Sequence, residues 1–258
     1  MTRKEKSGIV YYCSELLTTE NVENYFLTRK GGVSKGRFAE LNLSFLVGDN
    51  EEAVKKNLSL VKEVFDIEKI VALRQEHSTK IIDLDHLPLV PDYQGISGDG
   101  IITCQRNVGI GVLSADCFPL LIAEPRAGVI ACIHCGRRGV LQGIVEKAIK
   151  AMEGKGAEKD RMLIAIGSGI CYQHYEIDDD IVWELKDRYS SLKEEVLTFS
   201  KGRWFLDLKK LIIKILGNKG ISPEQIDASD ICTFESEEFY SYRKERFTGR
   251  HLSFLVQR

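Results

Sequence analysis

The sequence predicts a mixed α/β domain with a central mixed β-sheet and flanking helices, and three observations carry that prediction. Short β-branched runs dominate the middle of the chain, and amphipathic segments of helical period interleave with them. The 258 residues, 43% hydrophobic and 29% charged, suffice for one large core. No repeat, proline-rich linker or low-complexity run marks a boundary, so residues 1–258 read as a single compact domain.

In chain order, β-branched and aromatic runs predict strands over 8–13 and 24–30. Asp49 and Asn50 then offer an N-cap, with Glu51 and Glu52 in the first turn. Behind them Val54, Leu58, Val61 and Phe65 recur at +4, +3 and +4, which predicts an amphipathic helix. Six strands are expected next, over 70–74, 80–85, 99–104, 108–113, 119–123 and 127–134. At His134-Cys-Gly-Arg-Arg-Gly139 the last of them passes through a glycine-flanked turn into a helix carrying Ile144, Val145, Ala148, Ile149 and Met152. A strand at 162–167 precedes helices at 180–189 and 207–216, the second ended by Gly217-Asn-Lys-Gly220. A short helix at 223–226 follows the Ser222 cap, and a strand at 252–257 completes the pattern.

Charge and apolar patterning narrow the function. Lys and Arg number 36 against 38 Asp and Glu, which leaves no basic excess for a phosphate backbone and argues against nucleic-acid polymers. The uncharged stretches 108–115 and 117–123 are split by Asp116 and fall short of the ~20 residues a membrane span needs. The apolar run 9–13 is too short for a secretory signal, so the expectation is a cytoplasmic protein, a monomer or small homo-oligomer. Seven scattered cysteines without such a signal read as thiols or metal ligands rather than disulfides.

Five histidines exist, at 77, 86, 134, 174 and 251. His77 follows one apolar strand and His134 ends another, while Ser114-Ala-Asp-Cys117 places an acid and a thiol between two more. If these strand ends converge, imidazole, thiolate and imidazole form a donor set that zinc accepts, and three ligands leave a fourth position open for chemistry. The spacings of 40 and 17 residues match no compact zinc motif, so a structural role for each residue stays open.

The string Gly98-Asp-Gly100, Ser114-Ala-Asp-Cys117-Phe-Pro, Ile133-His-Cys-Gly-Arg-Arg-Gly139, Gly167-Ser-Gly-Ile170 resembles the YfiH family, also called laccase-domain or multicopper polyphenol oxidoreductase proteins. Gln75-Glu-His77, Leu206-Asp-Leu208 and Phe239-Tyr-Ser-Tyr-Arg-Lys-Glu agree with it. The resemblance implies a fold similar to that of cysteine-hydrolase toxins and a zinc site made by His77, Cys117 and His134. It further implies phosphorolysis of adenosine, inosine, guanosine or methylthioadenosine by inorganic phosphate, and deamination of adenosine. An older reading of the family is copper-dependent oxidation of phenols.

Two departures stand out: Cys135 and Arg137 replace the usual Ala and Trp of the turn, and Gly167-Ser-Gly-Ile170 replaces Gly-Pro-x-Ile. Cys135 should face away from the metal, because neighbouring strand residues point oppositely. The same alternation separates it from Cys132 and defeats chelation by that Cys-x-x-Cys pair. Asp116 is a candidate proton donor or a turn cap. Arg29 and Arg138 are candidates for phosphate, whose oxygens match a guanidinium fork. Gln75, Asn42 and Ser114 are candidates for ribose or base, and Asn42 equally for its own turn. Asp99 reads as the tip of a Gly-Asp-Gly turn. Phe239, Tyr240 and Tyr242 read as core aromatics, and His86 and His251 as surface or core residues. His174 is a weak candidate for the pocket. The rival mechanism makes Cys117 a covalent nucleophile activated by His134 or His77.

Overall fold

The computed structural model describes residues 1–87 and 93–258. The strands, in chain order, are β1 (Thr2–Lys6), β2 (Ile9–Cys13), β3 (Val22–Leu27), β4 (Lys69–Arg74), β5 (Ile81–Asp83), β6 (Tyr93–Ser97), β7 (Gly100–Thr103), β8 (Val108–Ser114), β9 (Phe118–Glu124), β10 (Val129–Cys135), β11 (Leu163–Ile166), β12 (Glu176–Ile177), β13 (Leu197–Ser200), β14 (Arg203–Leu206), β15 (Ile226–Ala228) and β16 (His251–Gln257). The helices are α1 (Glu51–Val64), α2 (Arg137–Leu141), α3 (Ile144–Gly154), α4 (Asp179–Arg188), α5 (Lys193–Val196), α6 (Leu208–Asn218) and α7 (Tyr242–Glu245).

The class is the expected mixed α/β one, and all ten expected strands fall on observed ones. Their arrangement differs: two mixed sheets lie face to face. One runs β1-β2-β3-β16-β8-β4-β6 and the other β15-β11-β9-β10-β7-β5, while β12-β14-β13 forms a small separate sheet. Periodicity reports which faces of a strand are buried, not which sheet it joins, so it could not separate the two. Between the large sheets pack Val71 and Leu73 of β4, Ile110 of β8, Leu121 of β9 and Cys132 of β10. On the outer face of the six-stranded sheet, Val129, Ala131, Ile133 and Cys135 of β10 meet α2, α3, α4 and α6. Outside the seven-stranded sheet α1 presents Val61 and Val64 to Ile70 and Phe254. Strands β9 and β10 are buried along their whole length, which is why they read as continuous apolar runs.

The strands absent from the sequence reading are edges, apart from β14, the short middle strand of the small sheet. β1 reads Thr-Arg-Lys-Glu-Lys and is mostly exposed. Helix α1 is capped by Asn50, whose side chain accepts from Ala53 N–H at 3.0 Å. The helix expected directly after Gly139 is two: α2 ends where Gly143 takes φ 93°, and α3 restarts behind it. The short helix at 223–226 is one 3₁₀ turn followed by β15.

A surface clip ties the end of α3 to the β5 edge of the six-stranded sheet. Lys155, just beyond α3, meets Asp83 at 2.9 Å and Asp85 at 2.6 Å. Burial pushes the Asp85 carboxyl up, but Lys155, Thr103 and the Cys104 N–H outweigh it and hold it down to about 2. Its folded pKa lies below the unfolded 3.8, so its contribution is complete above pH ~4 and drains away as the pH falls towards about 2. Asp85→Asn is expected to cost about 1–2 kcal/mol at neutral pH and to flatten the stability profile over that acid window. Urea titrations at stepped pH check it; parallel wild-type and variant profiles would refute the assignment.

Candidate active site

Three chain connections finish at the same end of the stacked sheets. The turn after β4 carries Gln75 and His77, the crossing from β8 to β9 carries Ser114, Asp116 and Cys117, and the end of β10 carries His134. Two of these residues adopt left-handed backbone that non-glycine residues visit rarely, His77 with φ 56° and Asp116 with φ 93°. The turn at Asp116 passes the chain from one sheet to the other and leaves both Asp116 and Cys117 facing the cavity described below.

The ligand atoms of His77, Cys117 and His134 lie within 4.8 Å of one another. Cys117 Sγ is 4.0 Å from His77 Nε2, and the two imidazole rings meet edge to face with centroids 4.9 Å apart. The His134 ring is buried and His77 is exposed, so the cluster has an inner and an open side. Burial alone raises the Cys117 thiol, yet the charge and hydrogen bond of His134, then those of His77, hold it down to about 6. Burial lowers His134, while Cys117 and Asp99 together carry it up to about 9. The pair therefore favours thiolate, the form that ligates or attacks.

Asp99 organises the cluster. Its carboxylate accepts from His134 Nδ1 at 2.9 Å, from His77 N–H at 3.0 Å and from Glu76 N–H at 3.2 Å. It also takes the Ser78 N–H and hydroxyl, both at 2.7 Å. One buried acid thus fixes the backbone that carries His77 and orients the His134 ring, so that Nε2 faces the cluster. Gly98-Asp-Gly100 is not a solvent turn tip: Asp99 is fully buried. A Cβ on Gly100 would stand 2.7 Å from Ile133 Cδ1, so the glycine lets β7 lie close under β10.

The donor set fits zinc in chemistry and in room. A Cβ at Gly136 would sit 2.7 Å from His77 Cδ2, 3.2 Å from His134 Cε1 and 3.4 Å from Cys117 Sγ, inside the space the three donors surround. Gly136→Ala fills that space and pushes the exposed His77 ring aside. It is expected to cut zinc retained at this site by at least ~10-fold while the fold persists. Metal analysis beside circular dichroism reads it, and unchanged zinc content would sink the assignment.

Above the cluster opens a cavity of about 1030 Å³ lined by Arg137, Arg138, Arg243, Arg246 and Arg250 together with Tyr175 and Tyr242. Arg137, Arg138 and Arg246 have no acidic partner among the described residues. Arg243 is anchored on the carbonyls of His174 and Glu176. The three arginines after residue 240 escaped the sequence reading, because exposed arginines are common and nothing local marks these as converging. Tyr242, expected in the core, is 48% exposed at the cavity wall, whereas Phe239 and Tyr240 are buried as expected.

Among the other candidates, Gln75, Ser114, Asp116 and Arg138 line the cavity. Gln75 spends its amide on Leu113, accepting from N–H at 2.8 Å and donating to O at 2.7 Å, and so ties the end of β4 to β8. Ser114 Oγ pairs with His251 Nε2 at 3.0 Å; burial, then Arg250 and Arg29, push that imidazole down to about 3 and keep it neutral. The Asp116 carboxylate accepts from Thr233 Oγ1 and from Arg243 N–H, each at 2.7 Å. Arg29 and Asn42 do not reach the cavity. The Arg29 guanidinium bonds Ala39 O and Glu245 and stacks on Tyr240, and Asn42 bonds Ser44 and Asp49 in its own loop and accepts from Arg250 N–H just before β16. Cys135 packs among the helices, away from the donors, as the alternation predicts. His86 is exposed beside Asp83.

A metal-capable thiol–imidazole cluster on the floor of a basic cavity, assembled from the ends of two sheets, has the make-up of an enzyme's active site. Residues 23–258 match the family model described as multi-copper polyphenol oxidoreductase laccase, and the chain belongs to that family, which includes the YfiH proteins. Among curated relatives, a purine nucleoside phosphorylase of Corynebacterium glutamicum is 34% identical over 89% of this chain and 92% of its own. One of Haemophilus influenzae is 30% identical over 92% and 94%. The solved structure of YlmD from Geobacillus stearothermophilus shares 27% identity and a TM-score of 0.87, covering 99% of this chain and 98% of its own. A Neisseria meningitidis structure shares 27% identity and a TM-score of 0.85, covering 96% and 98%. No helix among the described residues is long and apolar enough to cross a membrane.

Proposed function

We propose that the chain is a zinc-dependent purine nucleoside phosphorylase that also deaminates adenosine, with adenosine, inosine, guanosine and methylthioadenosine as its substrate class. The observation that carries this reading is the His77, Cys117, His134 cluster beneath Arg137, Arg138 and Arg246, which have no acidic partner among the described residues, in a chain whose relatives are named phosphorylases. Those three residues would hold the metal, which supplies Lewis acidity at its open position.

Arg137 and Arg138, at the start of α2, bind inorganic phosphate through paired N–H donors. A phosphate oxygen forms the bond to the ribose anomeric carbon as the glycosidic C–N bond breaks, and the electron pair leaves with the purine. Asp116, fixed by Thr233 and Arg243, relays to the departing purine the proton that the attacking hydrogen phosphate gives up. Tyr175 and Tyr242 line the cavity beside the base, each with one ring face under an arginine, Arg243 at 5.3 Å and Arg250 at 5.7 Å. The test is chromatography of a nucleoside panel with and without phosphate, on protein of known metal content. Phosphate-dependent hypoxanthine from inosine is the expected product, and no turnover of any nucleoside would refute the reading.

A second reading rests on Cys117 lying within 4.8 Å of the His134 donor nitrogen, whose ring is in turn bonded to Asp99, an order that also suits a cysteine nucleophile with its base and orienting acid. Metal-free protein labelled rapidly by iodoacetamide at Cys117 would favour it, and about one zinc shielding the thiol would exclude it. Copper in purified protein would not by itself support phenol oxidation, since sites of this kind bind copper more tightly than zinc.

A further inference from the structure

A second donor cluster stands apart from the cavity. Cys171 caps and His174 ends a single 3₁₀ turn, Cys232 and Glu235 bracket another turn, and the two turns are laced together. Thr233 N–H donates to Gly169 O at 3.1 Å, and Cys171 N–H points at Cys232 Sγ at 3.2 Å. From His174 Nδ1 it is 3.1 Å to Cys171 Sγ, 3.9 Å to Cys232 Sγ and 3.5 Å to Glu235 Oε1, and all four donor atoms lie within 4.8 Å. Bonds of about 2.3 Å to sulfur and about 2.1 Å to nitrogen or oxygen, arranged tetrahedrally, place donors roughly 3.4–3.8 Å apart. The three separations from the ring nitrogen bracket that spacing. Phe234 stacks on the His174 ring at 4.2 Å and 16°, which fixes the direction of its Nδ1.

We propose that Cys171, His174, Cys232 and Glu235 form a second, structural metal site for zinc. Four protein donors close the coordination shell, unlike the three-donor cluster of the cavity. Binding releases the two thiol protons to solvent, and the Cys171 N–H stabilises the Cys232 thiolate that remains. The two Cys-x-x-(His/Glu) turns belong to segments that hold the cavity wall: Ile170 N–H donates to Asp116 O, Thr233 carries the Asp116 carboxylate, and His174 O anchors Arg243. The ion is thus a staple behind the wall, and not a reactant.

The test silences the cavity cluster first. Full-length protein carrying Cys117→Ala, with His77→Ala as a second background because His77 is exposed and dispensable to packing, is titrated with cobalt(II) and with zinc. One equivalent should bind, with intense sulfur-to-cobalt absorption and a raised melting temperature. All three signals should vanish when Cys171→Ser and Cys232→Ser are added. Glu235→Gln should weaken binding while keeping the sulfur bands, since it alters only the most exposed ligand. Absence of any bound equivalent in both backgrounds overturns the proposal. So does a mass two hydrogens light in unreduced protein, which would mark a Cys171–Cys232 disulfide in place of a metal site.

Discussion

Cys117→Ala is expected to abolish both zinc retention at the cavity cluster and phosphate-dependent release of hypoxanthine from inosine. The thiolate is the only sulfur among the three donors and lies within 4.8 Å of the donor nitrogens of both imidazoles. Without it, His77 and His134 remain as two neutral donors on one edge, too few to hold zinc. The rate should fall by more than the roughly 10–100-fold that follows loss of a supporting residue around a metal. Stability should change little, because Cys117 is only half-buried and its main attractions are to the two histidines. Metal analysis and single-turnover assays at saturating phosphate read the outcome, and undiminished turnover would falsify the metal reading.

The second large effect belongs to Asp99→Asn, a substitution that keeps volume and shape. One carboxylate oxygen serves His134 and His77, and the other serves Glu76 and Ser78 twice, so whichever side the amide nitrogen occupies, at least two buried or partly buried donors lose their acceptor. At about 1–3 kcal/mol for each stranded donor, the variant should lose about 2–6 kcal/mol of folding stability. The His134 ring also loses the acceptor that sets its tautomer, and metal affinity should drop by roughly 10–100-fold. Urea unfolding and competitive zinc titration measure the two effects separately. Full affinity in the variant would remove Asp99 from the site.

How much of this was legible depended on what each residue needed. His77, Cys117 and His134 could be singled out because soft donors are scarce in the chain and each sits where an apolar run stops. Asp99 could not, since its role exists only once β7 pairs antiparallel with β10 and carries the carboxylate beneath His134. The same limit explains Arg29 and Arg243. Their local sequences look alike, yet one guanidinium is consumed by Glu245 and Tyr240 and the other reaches the cavity. Helix α1 was readable because its cap and its period are local, and the division into two sheets was hidden because it is wholly non-local.

Strand β16 lies in the interior of the seven-stranded sheet, bonded to β3 on one side and to β8 on the other. Remove it and the sheet falls into two fragments that share no ladder. A growing chain therefore exposes Cys117 and both histidines long before residues 251–257 arrive to close the sheet, and the arginines at 243–250 arrive just ahead of them. Such late, long-range closure is slow, and a chain of this size folds through partly built states. The step that completes the seven-stranded sheet is the same step that brings the last arginines to the cavity.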